Sequence, residues 1–243
     1  KKIKVVLSFY AGKSRVLEEE LKRIKKELSL FLISELGDEP QTLVCNNVRA
    51  EISDLSLSPD KKSSLYWQNQ GYNCIWFTHW ADTKIFKFNP KIKKKYFVVT
   101  TMGKRKYNNL LKLFLGNNYI NKRCLQEENS PFFNSGKIAY QYARWGEITR
   151  RIFEASACKC CILTNKLEEH TGIETIFAHN VSAIYFKGPF DLIYQLLRLY
   201  FKPELRRLIA DNAYNIVLKN HTEKIRAKYL LDTVKNLNKN NQQ

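Results

Sequence analysis

No stretch of about 18 apolar residues occurs anywhere in this chain, which excludes the pattern of a membrane-spanning helix. The opening residues, Lys1-Lys-Ile-Lys4, have neither the apolar centre nor the small-residue cleavage site of a secretory signal. We therefore expect a cytoplasmic protein. Disulfide-framework spacing is absent as well: six cysteines are scattered at positions 45, 74, 124, 158, 160 and 161 of 243 residues, too long a chain to need such staples. Cys158-Lys-Cys160-Cys161 has no second cysteine or histidine pair with which to close a zinc site, so these thiols read as small buried hydrophobes. No helix-turn-helix or zinc-finger signature, RNA-binding arrangement of aromatics, internal repeat or Asp-x-Asp pair after a strand is present.

Acidic residues are also scarce. Against 41 Lys and Arg there are 23 Asp and Glu, a formal charge of +18. A field of that size attracts nucleic acid, anionic lipid headgroups or an acidic polymer without choosing among them. Much of the excess lies in lysine-rich clusters at 22–26 and 91–95, which read as solvated faces.

What is present is alternation. Short apolar runs at 3–10, 30–36 and 74–78 and the short segment 55–58 predict strands, and amphipathic stretches at 14–28, 40–51 and 61–70 predict helices between them. Asn89-Pro90 and the lysine run interrupt this rhythm over 81–95, where we place a domain boundary, giving domains 1–84 and 85–243. A second series follows, with strands at 96–101, 138–143, 160–164 and 182–186 and helices at 107–115 and 149–157. The stretch 116–136 reads as loop with local helix, and three helices are expected over 189–201, 203–219 and 221–237, followed by a frayed tail. Strands alternating with helices imply parallel sheets covered on both faces. A first domain of about four strands is short for a nucleotide-binding type, so we expect the chain to begin inside a longer protein.

In such sheets ligands bind beyond the carboxyl ends of the strands. The strand at 96–101 runs into Gly103-Lys104-Arg105, where glycine lets the backbone approach an anion and two cations offer charge-assisted bonds to a diphosphate. The segment Glu147-Ile-Thr-Arg-Arg-Ile-Phe-Glu-Ala-Ser-Ala-Cys158 predicts a short helix with Arg150 and Arg151 between two acids, Glu147 and Glu154. A carboxylate at Glu154 suits the two hydroxyls of a ribose, and the arginines suit phosphate.

This segment resembles the donor-binding helix of GT-B glycosyltransferases, in particular the family-four and CgeB-like group with its Arg-x-Phe-Glu-Ala-x-Ala-Cys-Gly pattern. Further likenesses run in the order of that group: Leu32 to Pro40, Phe77-Thr-His-Trp-Ala-Asp82, Phe97 to Arg105, and Asn220-His-Thr222 with Arg226-Ala227. The resemblance implies a GT-B-like α/β fold of two Rossmann-like domains, the first short, with the acceptor on the N-terminal domain and a nucleotide-sugar on the C-terminal one. It implies sugar transfer with retention of configuration and no cofactor beyond the nucleotide-sugar, and the missing Asp-x-Asp pair adds the expectation that no metal is needed. Lys104, Arg105 and Glu154 are then the catalytic candidates, Gly103, Glu147, Arg150 and Arg151 complete the donor set, and Asp38, Glu39 and His79 are acceptor-side candidates.

Two departures stand out. Only six residues separate Glu147 from Glu154, where the group has seven, and Lys159 replaces the group's glycine, a change expected either to narrow the turn's options or to put a cation near the site. The acceptor stays open between a glycan, a lipid-linked sugar and modified nucleic acid, with peripheral membrane contact through the basic helix at 14–28 as one route. Asp38 and Glu39 read equally as helix capping, Trp80 reads as packing and Thr222 as a helix cap. The competing expectation is a non-catalytic, basic Rossmann-like protein that binds a polyanion such as nucleic acid.

Overall fold

The computed structural model describes residues 4–8, 15–39, 42–103, 105–144, 146–167 and 169–240. They form two compact units, Lys1–Thr78 with Glu169–Gly172, and His79–Glu168 with Ile173–Gln243.

The first unit alternates β1 (Val5–Ser8), α1 (Arg15–Leu28), β2 (Phe31–Glu35), α2 (Leu43–Ile52), β3 (Leu55–Ser58), α3 (Lys61–Asn69) and β4 (Cys74–Trp76). All pairings are parallel and the strands lie side by side in chain order. Every residue of β3 is buried, the serines that alternate with its leucines included, because an interior strand of a parallel sheet is covered on both faces. Helix α2 begins at Leu43 rather than near position 40. Thr42 precedes it, and its carbonyl accepts the Asn46 amide at 2.9 Å while its hydroxyl is drawn back to the Gly37 carbonyl.

Glu39 is part of this interior. Its Oε1 accepts hydrogen bonds from Trp67 Nε1 and from Asn46 Nδ2, each at 2.8 Å, and all three residues are buried. The carboxylate thus joins α2 to α3, and the expectation that it faces an acceptor is corrected: its side chain is only 3% exposed. Asp38 beside it is exposed with φ of +58°. The Glu169–Gly172 turn completes the unit, with Lys62 paired to Glu169 and Gly172 packed on Lys61 and Trp76.

The second unit contains β5 (Tyr96–Thr100), α4 (Asn108–Leu115), β6 (Tyr119–Asn121), α5 (Gln126–Asn134), β7 (Gly136–Gln141), α6 (Arg150–Ala157), β8 (Cys161–Asn165) and β9 (Ile184–Phe186), then α7 (Pro189–Phe201), α8 (Pro203–Asn220) and α9 (Glu223–Asn240). Its sheet is parallel in the order β6-β5-β7-β8-β9. Apolar clusters cover both faces, one containing Val99, Ala139, Ile162 and Phe153, the other Val98, Ile138, Leu163 and Leu196. Cys158, Cys160 and Cys161 are fully buried free thiols, and burial pushes their pKa values up, so they pack as hydrophobes.

Two sequence expectations give way here. The stretch read as loop with local helix holds, besides the helix α5, the edge strand β6, which at three residues is too short to show alternation. The tail read as frayed continues α9 to Asn240, because nothing in Asn238-Lys-Asn240 interrupts the helix.

Replacing Glu39 with alanine strands the buried Trp67 N–H and should destabilise the first unit by about 2 kcal/mol. Urea titration of the Glu39→Ala protein against wild type, followed by Trp fluorescence, checks this. Equal midpoints would show the Glu39 bonds to be dispensable.

Candidate functional site

In the second sheet the chain leaves β5 on one side to form β6 and then crosses to the other side to form β7. That reversal makes the β5–β7 boundary a topological switch point, where the following loops run to opposite faces and leave a crevice beyond the carboxyl ends. Three segments meet there. The loop after β5 starts with Thr101, Met102 and Gly103; the loop after β7 runs from Tyr142 to Thr149; and α6 begins at Arg150. Arg151 Nε donates to Thr101 Oγ1 at 3.1 Å, and the Tyr142 amide to Met102 Sδ at 3.3 Å, so the three are tied together.

Gly103 has φ of +65°, and a Cβ there would meet nothing within 4 Å. Its backbone angle rather than space therefore favours glycine. The Gly103 carbonyl accepts from Asn108 Nδ2 and from Asn121 Nδ2, both at 2.6 Å, so α4 and β6 hold the loop in shape. Lys104 lies outside the described residues.

Charge converges on Arg151. Its pKa is lowered first by burial and then by Arg105, Arg123 and Arg150, against the favourable pull of Glu154. Arginines from the β5 loop, the segment after β6 and the start of α6 thus act on one another at short range. The Arg150 guanidinium also lies over the Trp80 ring, 5.5 Å from its centroid. Glu154, one turn along α6 from Arg150, is 7% exposed. Burial raises its pKa, and Arg150 and Arg151 oppose the shift. No described residue donates a hydrogen bond to this carboxylate, although an ionised carboxylate offers about four lone-pair sites. A cluster of guanidiniums beside an acceptor with open lone pairs can hold a phosphate chain on one side and a pair of hydroxyls on the other.

Of the expected donor set, Gly103, Arg105, Arg150, Arg151 and Glu154 come together. Glu147 sits half-buried in the loop before α6, four residues from Arg151 in sequence. Asp38 and Glu39 belong to the first unit. Lys159, expected to place a cation near this site, does not: it follows α6 and pairs with Asp211 at 2.9 Å, at the end of the sheet where strands begin. Arg123, Asn108 and Asn121 were not singled out by sequence. Arg123 lies two residues past β6, and its charge beyond a strand end would have been the signal had that strand been legible.

His79 is half-buried and belongs to the second unit. Burial, then Arg150, pushes its pKa down to about 4, while a hydrogen bond to the Ile148 carbonyl opposes the shift. His221, likewise lowered to about 4 by burial and then Arg226, donates to the His79 carbonyl. Phe153 of α6 packs on both rings, 6.5 Å from His79 and 5.1 Å from His221 between centroids. The segment continues into a seam: the Ala81 amide donates to the His221 carbonyl at 3.0 Å, the Glu223 amide to the Ala81 carbonyl at 3.2 Å, and Thr83 bonds the Glu223 carboxylate through its amide and hydroxyl. Thr222 Oγ1 accepts the Ile225 amide at 3.4 Å and caps α9, as expected. His79 is thus fastened to the backbone frame beneath α6.

Both histidines stay neutral when folded and would protonate near pH 6.5 when unfolded. Between those pKa values the unfolded chain binds more protons, so their contribution to stability falls as pH drops from about 6.5 towards 4. Unfolding free energies measured across that range should show a shallower pH dependence in His221→Gln, by up to about 1.4 kcal/mol per pH unit. An unchanged slope would mean that His221 is charged in the folded protein.

The fold is shared with solved structures. The HepE protein of Anabaena, crystallised with UDP and glucose, superposes with a TM-score of 0.71 at 13% identity, over 95% of this chain and 78% of that one. Sucrose-phosphate synthase from Thermosynechococcus elongatus gives 0.72 at 9% identity over 96% and 73%. A glycosyltransferase from Rickettsia africae gives 0.61 at 10% over 99% and 100%. No curated protein sequence matches the chain. At such identities the structures establish the GT-B fold alone, and the family comes from sequence. Residues 87–232, more than half of the chain, match the profile of the glycosyl transferase-like family. That match sets aside the non-catalytic polyanion binder: the chain belongs to the glycosyl transferase-like family and is a glycosyltransferase of GT-B fold.

Proposed function

We propose that the protein moves a sugar from a nucleotide-sugar to an acceptor, with retention of configuration and without a metal ion. The observation that carries this reading is the arginine cluster around Arg151 beside the buried Glu154, whose carboxylate accepts no hydrogen bond from the described residues. Arg105, Arg123, Arg150 and Arg151 would meet the donor diphosphate, with Lys104 of the same loop as a further candidate. Glu154 would accept both ribose hydroxyls. The HepE structures hold UDP with glucose and UDP-glucose, which supports uridine diphosphate as the nucleotide here.

In the transfer the bond between the sugar C1 and the diphosphate oxygen breaks as the acceptor oxygen bonds to C1. Negative charge grows on the departing diphosphate, and positioned guanidiniums stabilise it without reorganising, the role that a metal would otherwise fill. The acceptor proton passes to an oxygen of the leaving phosphate on the same face, which yields retention. The residues of 1–84 would supply the acceptor side, with exposed Asp38 as the carboxylate there. The acceptor classes remain glycan, lipid-linked sugar and modified nucleic acid.

Calorimetric titration with UDP-glucose tests the donor assignment. Hydrogen bonds to charged groups are worth about 1.5–3 kcal/mol, so Glu154→Ala and Arg151→Ala should each weaken binding roughly 10- to 150-fold. Wild-type affinity retained in both variants would overturn it. Because burial raises the Glu154 pKa, acidification protonates this carboxylate at a higher pH than an ordinary glutamate and should weaken UDP-glucose binding as pH falls from neutrality. The same titration in Glu154→Gln should show a flatter profile.

A further inference from the structure

The second unit carries a cavity of about 320 Å³ at the opposite end of its sheet from the arginine cluster. Its cations come from where strands begin. Lys94 lies two residues before β5, Lys137 is the second residue of β7, and Lys159 lies two residues before β8. Arg206 and Arg207 of α8 join them, and Asp211 is the one carboxylate in the lining. Because the sheet is parallel, this is the end remote from the loops that carry Gly103 and Arg151.

The positive charge here is not cancelled. Lys159 pairs with Asp211 at 2.9 Å, and Arg207 pairs with Glu204. Lys94 Nζ instead donates to the neutral carbonyls of Gly136 at 2.8 Å and Cys158 at 3.3 Å, and Arg206 Nη1 to that of Leu199 at 2.6 Å. Half-buried Lys137 has no hydrogen-bond or ion-pair partner among the described residues. Burial lowers the Arg206 pKa, and Arg207 adds to the shift.

A second, independent observation concerns Lys159. It has φ of +54°, the left-handed position that follows a helix and favours glycine. A lysine held there is strained relative to glycine. Its ammonium reaches the cavity wall, lying 5.1 Å from the Phe88 ring centroid and 4.8 Å from that of Tyr214. A volume near the lower end of small-ligand sites, an apolar wall at Phe88 and an excess of cations together suit one phosphate on a small body.

We propose that this cavity is a second anion site, separate from the donor cluster, that takes a phosphate ester. Lysines and arginines converge on the phosphate oxygens, and Phe88 packs against the attached group. The eight residues of α6, about 12 Å of helix, run from the donor arginines at its start to Lys159 just past its end, so both sites touch one element.

The test titrates glycerol 3-phosphate calorimetrically into the full chain and into three variants, Lys137→Glu, Lys159→Gly and Arg151→Ala. Lys159→Gly removes a cation while relieving the backbone, so a thermal melt should show it folded. Binding that persists in Arg151→Ala and weakens tenfold or more in both Lys137→Glu and Lys159→Gly supports the site. No binding of either the soluble ester or phosphatidylglycerol vesicles, binding lost only in Arg151→Ala, or equal binding in all four proteins would overturn it. A parallel arm presents the phosphate on phosphatidylglycerol vesicles. Vesicle retention sensitive to Lys137→Glu, with no uptake of the soluble ester, would place the phosphate in a lipid headgroup.

Discussion

The second unit depends on holding like charges together. Guanidiniums from the β5 loop, the segment after β6 and the start of α6 repel one another around a half-buried Arg151. Glu154, the Thr101 hydroxyl and the Trp80 ring offset only part of that repulsion. The arrangement persists because each arginine hangs from an element fixed elsewhere: β5 and β7 are paired and buried, and α6 turns Ile152, Phe153, Ala155 and Ala157 into the core. Non-directional burial of apolar surface thus sustains an electrostatic strain that an anion would relieve.

The arrangement around α6 shows how the strain is contained. On its core side Phe153 packs on Phe177 and on the two neutral histidines, and the seam from Ala81 to Glu223 fixes those histidines by backbone bonds. On its solvent side Arg151 is anchored to Thr101. Before the helix, the Thr149 hydroxyl is drawn to Gln141 at 2.6 Å and leaves the first amides of α6 without a side-chain cap. Uncapped amides and the positive helix end favour an anion at the same place.

Much of the fold was legible because burial patterns in parallel sheets are local. Apolar runs marked β5 and β8, and the proline starts of α7 and α8 marked their first residues. The short edge strand β6 was not legible, and Arg123 was lost with it. Glu39 shows a different failure: next to exposed Asp38 it reads as a loop carboxylate, and only the approach of Trp67, 28 residues away, makes it an interior hydrogen-bond acceptor.

The sequence by itself determined the alternation of strands and helices, the family, and the identities of Arg105, Arg150, Arg151 and Glu154 as candidates, since periodicity and spacing are carried by neighbours along the chain. Tertiary structure alone decided which cations meet. Strand order sent Arg123 to Arg151 and moved Lys159 to the far end of the sheet, because a side chain's surroundings follow from crossover connections and strand direction, which no local pattern encodes.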